Sequence, residues 1–239
     1  LNRGAAIENC DTLRETAGDK GYVIGKKYVG GIVGFNEGTT GITGGDRGRN
    51  QTQIIGMDFV GGIVGCNAVG AWEEDKREAR ILSREEANAA IGKPAEDAED
   101  IYISNWVNEG AIIACGDYAG GITGYNLGQI RGCNSDVDYS DEIKNSAQVT
   151  TNSQYAGGIA GYNAGLIDGR LNDADSNVLS AVSVISGKNF VGGIAGYNDV
   201  GGRINNYELR GGYIKGEKFV GGFIGLNADA SVFDTRVYS

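Results

Sequence analysis

Phe190-Val191-Gly192-Gly193-Ile194-Ala195-Gly196-Tyr197-Asn198 is one of six versions of a nine-residue unit in this 239-residue chain. The others begin at Tyr28, Phe59, Tyr118, Tyr155 and Phe219, so successive starts lie 31, 59, 37, 35 and 29 residues apart. Each unit reads aromatic, Val or Ala, Gly-Gly, Ile or Phe, a small or β-branched residue, Gly, a variable and usually aromatic residue, then Asn. A period of about 30 residues with one large insertion marks a stacked repeat architecture, which takes precedence over any local motif.

The unit's chemistry specifies a β-coil. Aromatic, β-branched and Ile positions favour strand, while the paired glycines mark a bend or a close approach of backbones. A third glycine returns at Gly34, Gly65, Gly124, Gly161, Gly196 and Gly225. The closing asparagines Asn36, Asn67, Asn126, Asn163, Asn198 and Asn227 stack if each repeat forms one coil. Side-chain amides repeated every ~4.8 Å can hydrogen-bond in a ladder along the axis. Asn also tolerates the left-handed conformation of a tight corner. Two aromatic columns follow from the same register: Tyr28, Phe59, Tyr118, Tyr155, Phe190 and Phe219, and Phe35, Cys66, Tyr125, Tyr162, Tyr197 and Leu226. Either column could face inward, because a bend at Gly-Gly resets the strand alternation. The large position (Ile32, Ile63, Ile122, Ile159, Ile194, Phe223) is the expected core.

All six copies resemble the GLUG motif, which recurs in large bacterial surface and secreted proteins, including adhesin-like proteins and non-catalytic regions of immunoglobulin-A-cleaving peptidases. The resemblance implies a right-handed parallel β-helix serving cell adhesion, mostly as extracellular scaffold, on the bacterial cell surface or secreted.

Composition narrows the rest. Forty-two glycines without a triplet period serve the repeat, and a net charge of −10 without any Lys/Arg run argues against a nucleic-acid partner. No stretch reaches the roughly 20 apolar residues of a membrane span, so this segment is not expected to insert into a membrane. The first residues lack a basic-then-apolar signal pattern, which suggests an excised segment. Cys10, Cys66, Cys115 and Cys133 lack C-x-x-C spacing, and no His is present to complete a mixed zinc site. Buried free thiols are expected, with Cys10 and Cys133 at the same core position of different coils.

Taken in order, Ile7–Cys10 and Tyr22–Gly25 read as short strands of a partial coil, and Gly44–Asn50 as a loop between the first two units. The 59-residue gap holds a charged insertion at about 71–100. Ser83-Arg84-Glu85-Glu86 is a capping box, predicting a helix from Arg84 to Ile91 that ends at Gly92 before Pro94, with an earlier turn from Trp72 through Arg80. Insertions in solenoids project from one face, often a binding face. Trp72 is therefore a candidate ligand-stacking residue, or an anchor seating the insertion on the coil. Strands resume at Ile101–Ile103, Ala111–Ala114, Ile130–Cys133, Val178–Ile185, Arg203–Ile204, Tyr213–Lys215 and Ser231–Asp234.

Candidate chemistry is sparse, and no cofactor is expected. Asp173, Asp175 and Asn177 alternate like the opening of a calcium loop, as do Asp136 and Asp138 near Asp141 and Glu142. The first loop has Val178 where an EF-hand needs Gly and Val184 where it needs Glu, which favours solvated acidic turns. Without His there is no Ser-His-Asp or Cys-His arrangement and no H-E-x-x-H helix. Paired carboxylates on neighbouring coils would suit a polysaccharide-active β-helix enzyme, but no acidic column repeats. Tyr125, Tyr162 and Tyr197 are candidate ligand-binding residues if their column lies outside, and wall residues otherwise.

The expectation is an all-β right-handed parallel β-helix of six to eight coils, roughly 30–40 Å long, forming a single domain over 1–239 with a short helical insertion. It is expected not to be an enzyme. It would act as a rigid stalk, with host or bacterial glycan or protein as partner; a β-helix hydrolase or lyase is the alternative.

Overall fold

The computed structural model describes residues 1–3, 5–13, 21–37, 41–76, 78–92, 101–133, 148–152, 154–170, 179–181, 184–210 and 212–238. Among these, the strands stack into four large parallel sheets, a small parallel three-stranded sheet and an antiparallel two-stranded one. Each coil passes through the four large sheets in the same order. The second coil, for instance, runs Ile42–Asn50, Gln53–Gly56, Asp58–Gly61 and Val64–Asn67. The chain is a parallel β-solenoid, and the six sequence units occupy six successive coils.

Register is kept across the long insertion. Asn36 pairs with Asn67, Asn67 with Asn126, Asn126 with Asn163, Asn163 with Asn198, and Asn198 with Asn227. The Gly pair separates the third strand of each coil from the fourth, and its requirement is steric. A Cβ on Gly120 would lie 1.9 Å from the Thr123 carbonyl oxygen, and one on Gly62 would lie 2.2 Å from that of Gly121 in the next coil. None of the motif glycines has positive φ.

Positive φ falls elsewhere. Tyr28, Phe59, Tyr118 and Phe219, the first residues of their units, have φ of 55°, 55°, 64° and 49°. Left-handed backbone at a bulky residue costs ~1–2 kcal/mol, so these rings are held by what they pack against. A second left-handed corner follows the first sheet, at Asn9, Asn105, Gly132, Asn206 and Asp234, residue types that tolerate it. The ladder asparagines, expected to suit such corners, are not among the positive-φ residues; they close the fourth-sheet strands.

The core confirms the large position. Ile63, Ile122, Ile159 and Ile194 are fully buried, facing the first-sheet column of Ile42, Ile103, Ile130, Ile167 and Ile204, while Ile32 and Phe223 in the end coils are half-buried. A second cluster joins Val29, Val60, Ala119, Ala156 and Val191 of the third sheet to Ile54, Ile112, Val149 and Ile185 of the second.

Three local expectations are corrected. Gly44–Asn50 is not a loop: it belongs to the nine-residue strand Ile42–Asn50, which pairs with Tyr102–Asn108 across a register shift. Trp72 to Arg80 is a β-hairpin, with Gly70–Glu73 antiparallel to Glu78–Ile81, because cross-strand pairing satisfies more backbone than an isolated turn. All four cysteines are free, but only Cys66 and Cys133 are buried; Cys10 shares the register of Cys133 yet lies exposed in an end coil, and Cys115 is exposed. The helix is as expected: Arg84–Ile91, with the reciprocal Ser83–Glu86 capping box and Gly92 left-handed at its end. Among the described residues no helix is long and apolar enough to cross a membrane.

Candidate functional site

The side-chain columns decide what the surface can do. The first aromatic column is a face-to-face stack, with ring centroids 4.7 Å apart for Phe59–Tyr118, 4.8 Å for Tyr118–Tyr155, 5.0 Å for Tyr155–Phe190 and 5.1 Å for Phe190–Phe219. The second repeats this at 4.8 Å for Tyr125–Tyr162 and 5.3 Å for Tyr162–Tyr197. The two meet edge-to-face, as in Tyr118–Tyr162 at 80° and Tyr155–Tyr197 at 86°. Such a herringbone joins both favourable ring geometries, each contact contributing ~0.5–1.5 kcal/mol beyond its area.

Both columns stand outside the solenoid's central core. At the first coils they pack with the insertion: Phe35 and Cys66 are buried in one cluster with Ala79 of the hairpin and Ala87 of the helix, and the Tyr28 hydroxyl donates to the Ala79 carbonyl at 3.1 Å. Further along, Tyr118, Tyr125, Tyr155, Tyr162, Phe190 and Tyr197 are partly buried, Tyr125 and Tyr162 against that same cluster, and Phe219 is 53% exposed. This partly open strip is an aromatic ledge running parallel to the axis.

Its chemistry is that of hydroxyls and ring edges. Stacked rings turn their faces to one another, so Tyr125, Tyr162 and Tyr197 do not offer the open faces on which a sugar or base lies flat. The Tyr162 hydroxyl donates to Asp199 Oδ2. Burial first, then Tyr155 and the carboxylates of Asp117 and Asp58, push the Tyr118 phenol up to about 12. Burial and the Asp199 hydrogen bond raise Tyr162, and burial followed by Asp199 raises Tyr197. These phenols therefore stay protonated donors at neutral pH.

Behind the ledge lies the asparagine ladder, each Nδ2 donating to the Oδ1 of the next coil: Asn36 to Asn67 at 2.9 Å, Asn67 to Asn126 at 2.9 Å, Asn126 to Asn163 at 2.8 Å, Asn163 to Asn198 at 2.7 Å and Asn198 to Asn227 at 2.8 Å. Sequence reasoning missed a rung, since Asn2 donates to Asn36 at 2.9 Å. It also missed a second ladder, in which Asn50 donates to Asn108 at 2.7 Å and accepts from Thr12. The signal was present: Asn108-Glu109-Gly110 repeats Asn36-Glu37-Gly38 letter for letter, outside the nine-residue unit.

The remaining candidates are not brought together. Trp72 belongs to the hairpin strand, in register with Ala79, and its side chain lies outside the described part of the structure. Asp173, Asp175, Asn177, Asp136, Asp138, Asp141 and Glu142, with Pro94, also lie outside the described residues. Among the described residues no group of three or more His, Cys, Asp or Glu is placed to hold a metal ion. Two carboxylates do share a place in the motif on neighbouring coils, Asp58 and Asp117, each directly before its aromatic. Asp58 accepts the Asp117 amide at 2.9 Å, and Asp117 accepts the Gln154 amide at 3.2 Å. No protein-family model, curated protein or solved structure matches the chain.

Proposed function

We propose that this chain is a rigid extracellular segment of a bacterial surface or secreted adhesin-like protein, a stalk that presents its aromatic ledge to a host or bacterial glycan or protein. The observation that carries it is the unbroken register of the Asn36-to-Asn227 ladder through all six coils, including the passage across the insertion. A stack tied by backbone ladders, amide ladders and ring columns resists bending, which is what a spacer requires. The resemblance of the units to the GLUG motif is what supports the surface location. Two measurements test the reading: antibodies raised against the chain should label intact producing cells, and solution scattering should fit a straight rod of roughly 30–40 Å. Labelling only after lysis, or a scattering curve of a flexible chain, would refute it.

The enzyme alternative rests on the Asp58–Asp117 pair, because carboxylates one coil apart suit glycoside hydrolysis. Each spends an oxygen on a backbone amide as a corner cap, so the pair serves the turn. Release of reducing or unsaturated ends from polysaccharides by the chain, lost in Asp58→Asn and Asp117→Asn, would reverse that judgement.

A further inference from the structure

We propose that the insertion is a removable plug: it fills the gap that Cys66 leaves inside the second aromatic column, and it lifts off as a unit while the solenoid stays folded. This goes beyond the scaffold reading and does not depend on it.

The gap originates in the sequence. On successive coils the column reads Phe35, Cys66, Tyr125, Tyr162 and Tyr197, with Cys66 in register with Phe35 on one side and Tyr125 on the other. Phe35 stands edge-to-face with Tyr28 at 83°, as Tyr125 does with Tyr118 at 81°. Both rings therefore keep the column's orientation, and a thiol stands where a ring would complete the stack. The first column has no break at this coil: Phe59 lies 5.0 Å from Tyr28 and 4.7 Å from Tyr118. The insertion occupies the space. Its hairpin backbone runs against Phe35, since a Cβ on Gly70 would lie 2.7 Å from that ring, and Ala79 and Ala87 are buried in one cluster with Phe35 and Cys66.

The plug is built separately from what it covers. Among the described residues, Gly70–Glu73 and Glu78–Ile81 pair with each other and with no strand of the four large sheets. The ion pairs Lys76–Glu73 at 2.6 Å and Arg80–Glu86 at 2.8 Å are internal to it. Its seat is Ala79, Ala87 and the partly buried Ile81 and Leu82, with the hydrogen bond from the Tyr28 hydroxyl to the Ala79 carbonyl. Beneath it the coils join directly: Val64–Asn67 pairs with Thr123–Asn126, and Asn67 donates to Asn126. A unit tied within itself and held by a small apolar seat opens at lower free energy than the backbone ladders below. Lifting it breaks no rung of the solenoid and uncovers Cys66.

The test is thiol labelling of the full chain with the two exposed cysteines removed by Cys10→Ser and Cys115→Ser, leaving Cys66 and Cys133. The reagent is dithiobis(nitrobenzoate): a thiolate attacks its S–S bond, forms a mixed disulfide and releases one coloured thionitrobenzoate. Burial raises the Cys66 thiol well above its ordinary value, against the opposing pull of Lys27, so labelling reports the lifted state. Cys133, buried in the central core, is the internal control. Cys66 should react at least about a hundredfold faster than Cys133 while the Val64–Asn67 amides still exchange slowly. Tyr28→Phe keeps the ring but removes the hydrogen bond to Ala79, and should speed Cys66 labelling about fivefold with Cys133 unchanged. Cys66→Tyr supplies the missing ring and should unseat the insertion. The amides of Ala79 and Ala87 then lose protection, because a lone hairpin and a short helix are marginal in water, while Val64–Asn67 keeps its own. Equal labelling of the two thiols, Val64–Asn67 exchange as fast as Cys66 labelling, indifference to Tyr28→Phe, or full protection of Ala79 and Ala87 in Cys66→Tyr would overturn the proposal. Should Cys66→Tyr fail to fold, the labelling rates with and without Tyr28→Phe still decide it.

Discussion

At the scale of single residues, the side chains that matter most are those that tie two neighbouring coils together at once. Asn126 is fully buried and sits mid-ladder, accepting from Asn67 and donating to Asn163. Replacement by Ala leaves a buried donor on one side and a buried acceptor on the other, each costing ~1–3 kcal/mol. Asn126→Ala should therefore lower stability by about 2–5 kcal/mol, against under about 1 kcal/mol for Asn227→Ala at the exposed end, as read from denaturant midpoints. Equal effects would mean that the ladder is incidental. Glycine offers a matched contrast at one motif position. A Cβ on Gly193 would lie 2.3 Å from the Gly222 carbonyl oxygen, whereas one on Gly222 would meet nothing within 4 Å. Gly193→Ala should destabilise severely and Gly222→Ala little; the reverse order in thermal unfolding would contradict the stacking register.

At the scale of elements, the insertion is a small unit with its own logic. Ser83 and Glu86 cap the helix reciprocally, and Arg80 binds Glu86 at 2.8 Å. The Arg80 hydrogen bond first, then the Ser83 amide, hold the Glu86 carboxyl down to about 2 from an ordinary 4.5. Because the folded value lies below the unfolded one, the cap's contribution is complete above pH 4.5 and disappears as pH falls through about 2. Amide exchange at Glu86 and Ala87 should stay slow to about pH 3 and accelerate below it, and Arg80→Ala should move that onset upward. An onset unchanged by Arg80→Ala would remove Arg80 from the cap. This helix was legible in the sequence because capping is local chemistry: Ser, Glu and Gly at fixed offsets. The hairpin before it was not, since Gly70–Glu73 and Glu78–Ile81 are strands only by virtue of each other. The same holds for Ile42–Asn50, whose Gly- and Arg-rich composition reads as loop and whose strand character comes from pairing with Tyr102–Asn108, a partner 60 residues away.

At the scale of the whole molecule, repetition made the fold readable. A single Gly-Gly unit says little, but six in register fix coils, ladder and columns together. What repetition could not reveal was the side on which the rings lie, because that depends on the left-handed turn at Tyr28, Phe59, Tyr118 and Phe219, a conformation sequence rules assign to Gly or Asn. The candidate site was legible as a list, Tyr125, Tyr162 and Tyr197, but its chemistry was not: only the stacked geometry shows that the ring faces are spent on one another and that the Tyr162 hydroxyl is tied to Asp199. The stack also sets an alkaline limit. Tyr118 ionises at about 12 in the fold against 10.0 when free. The raised folded value means that stability is intact below pH 10 and is lost as pH rises toward 12. Phenolate absorbance should appear in that window together with unfolding; early ionisation without loss of structure would show that burial does not hold the Tyr118 phenol in its neutral form.

The central claim is that the six coils form one continuous register-locked stack, and native-state hydrogen exchange tests it most directly. Amides of Thr123–Asn126 and Ala160–Asn163, in the middle coils, should exchange most slowly, with protection falling smoothly toward Val33–Asn36 at one end and Ile224–Asn227 at the other. A break in protection between Val64–Asn67 and Thr123–Asn126, where the insertion intervenes, would show two blocks instead of one rod and contradict the account.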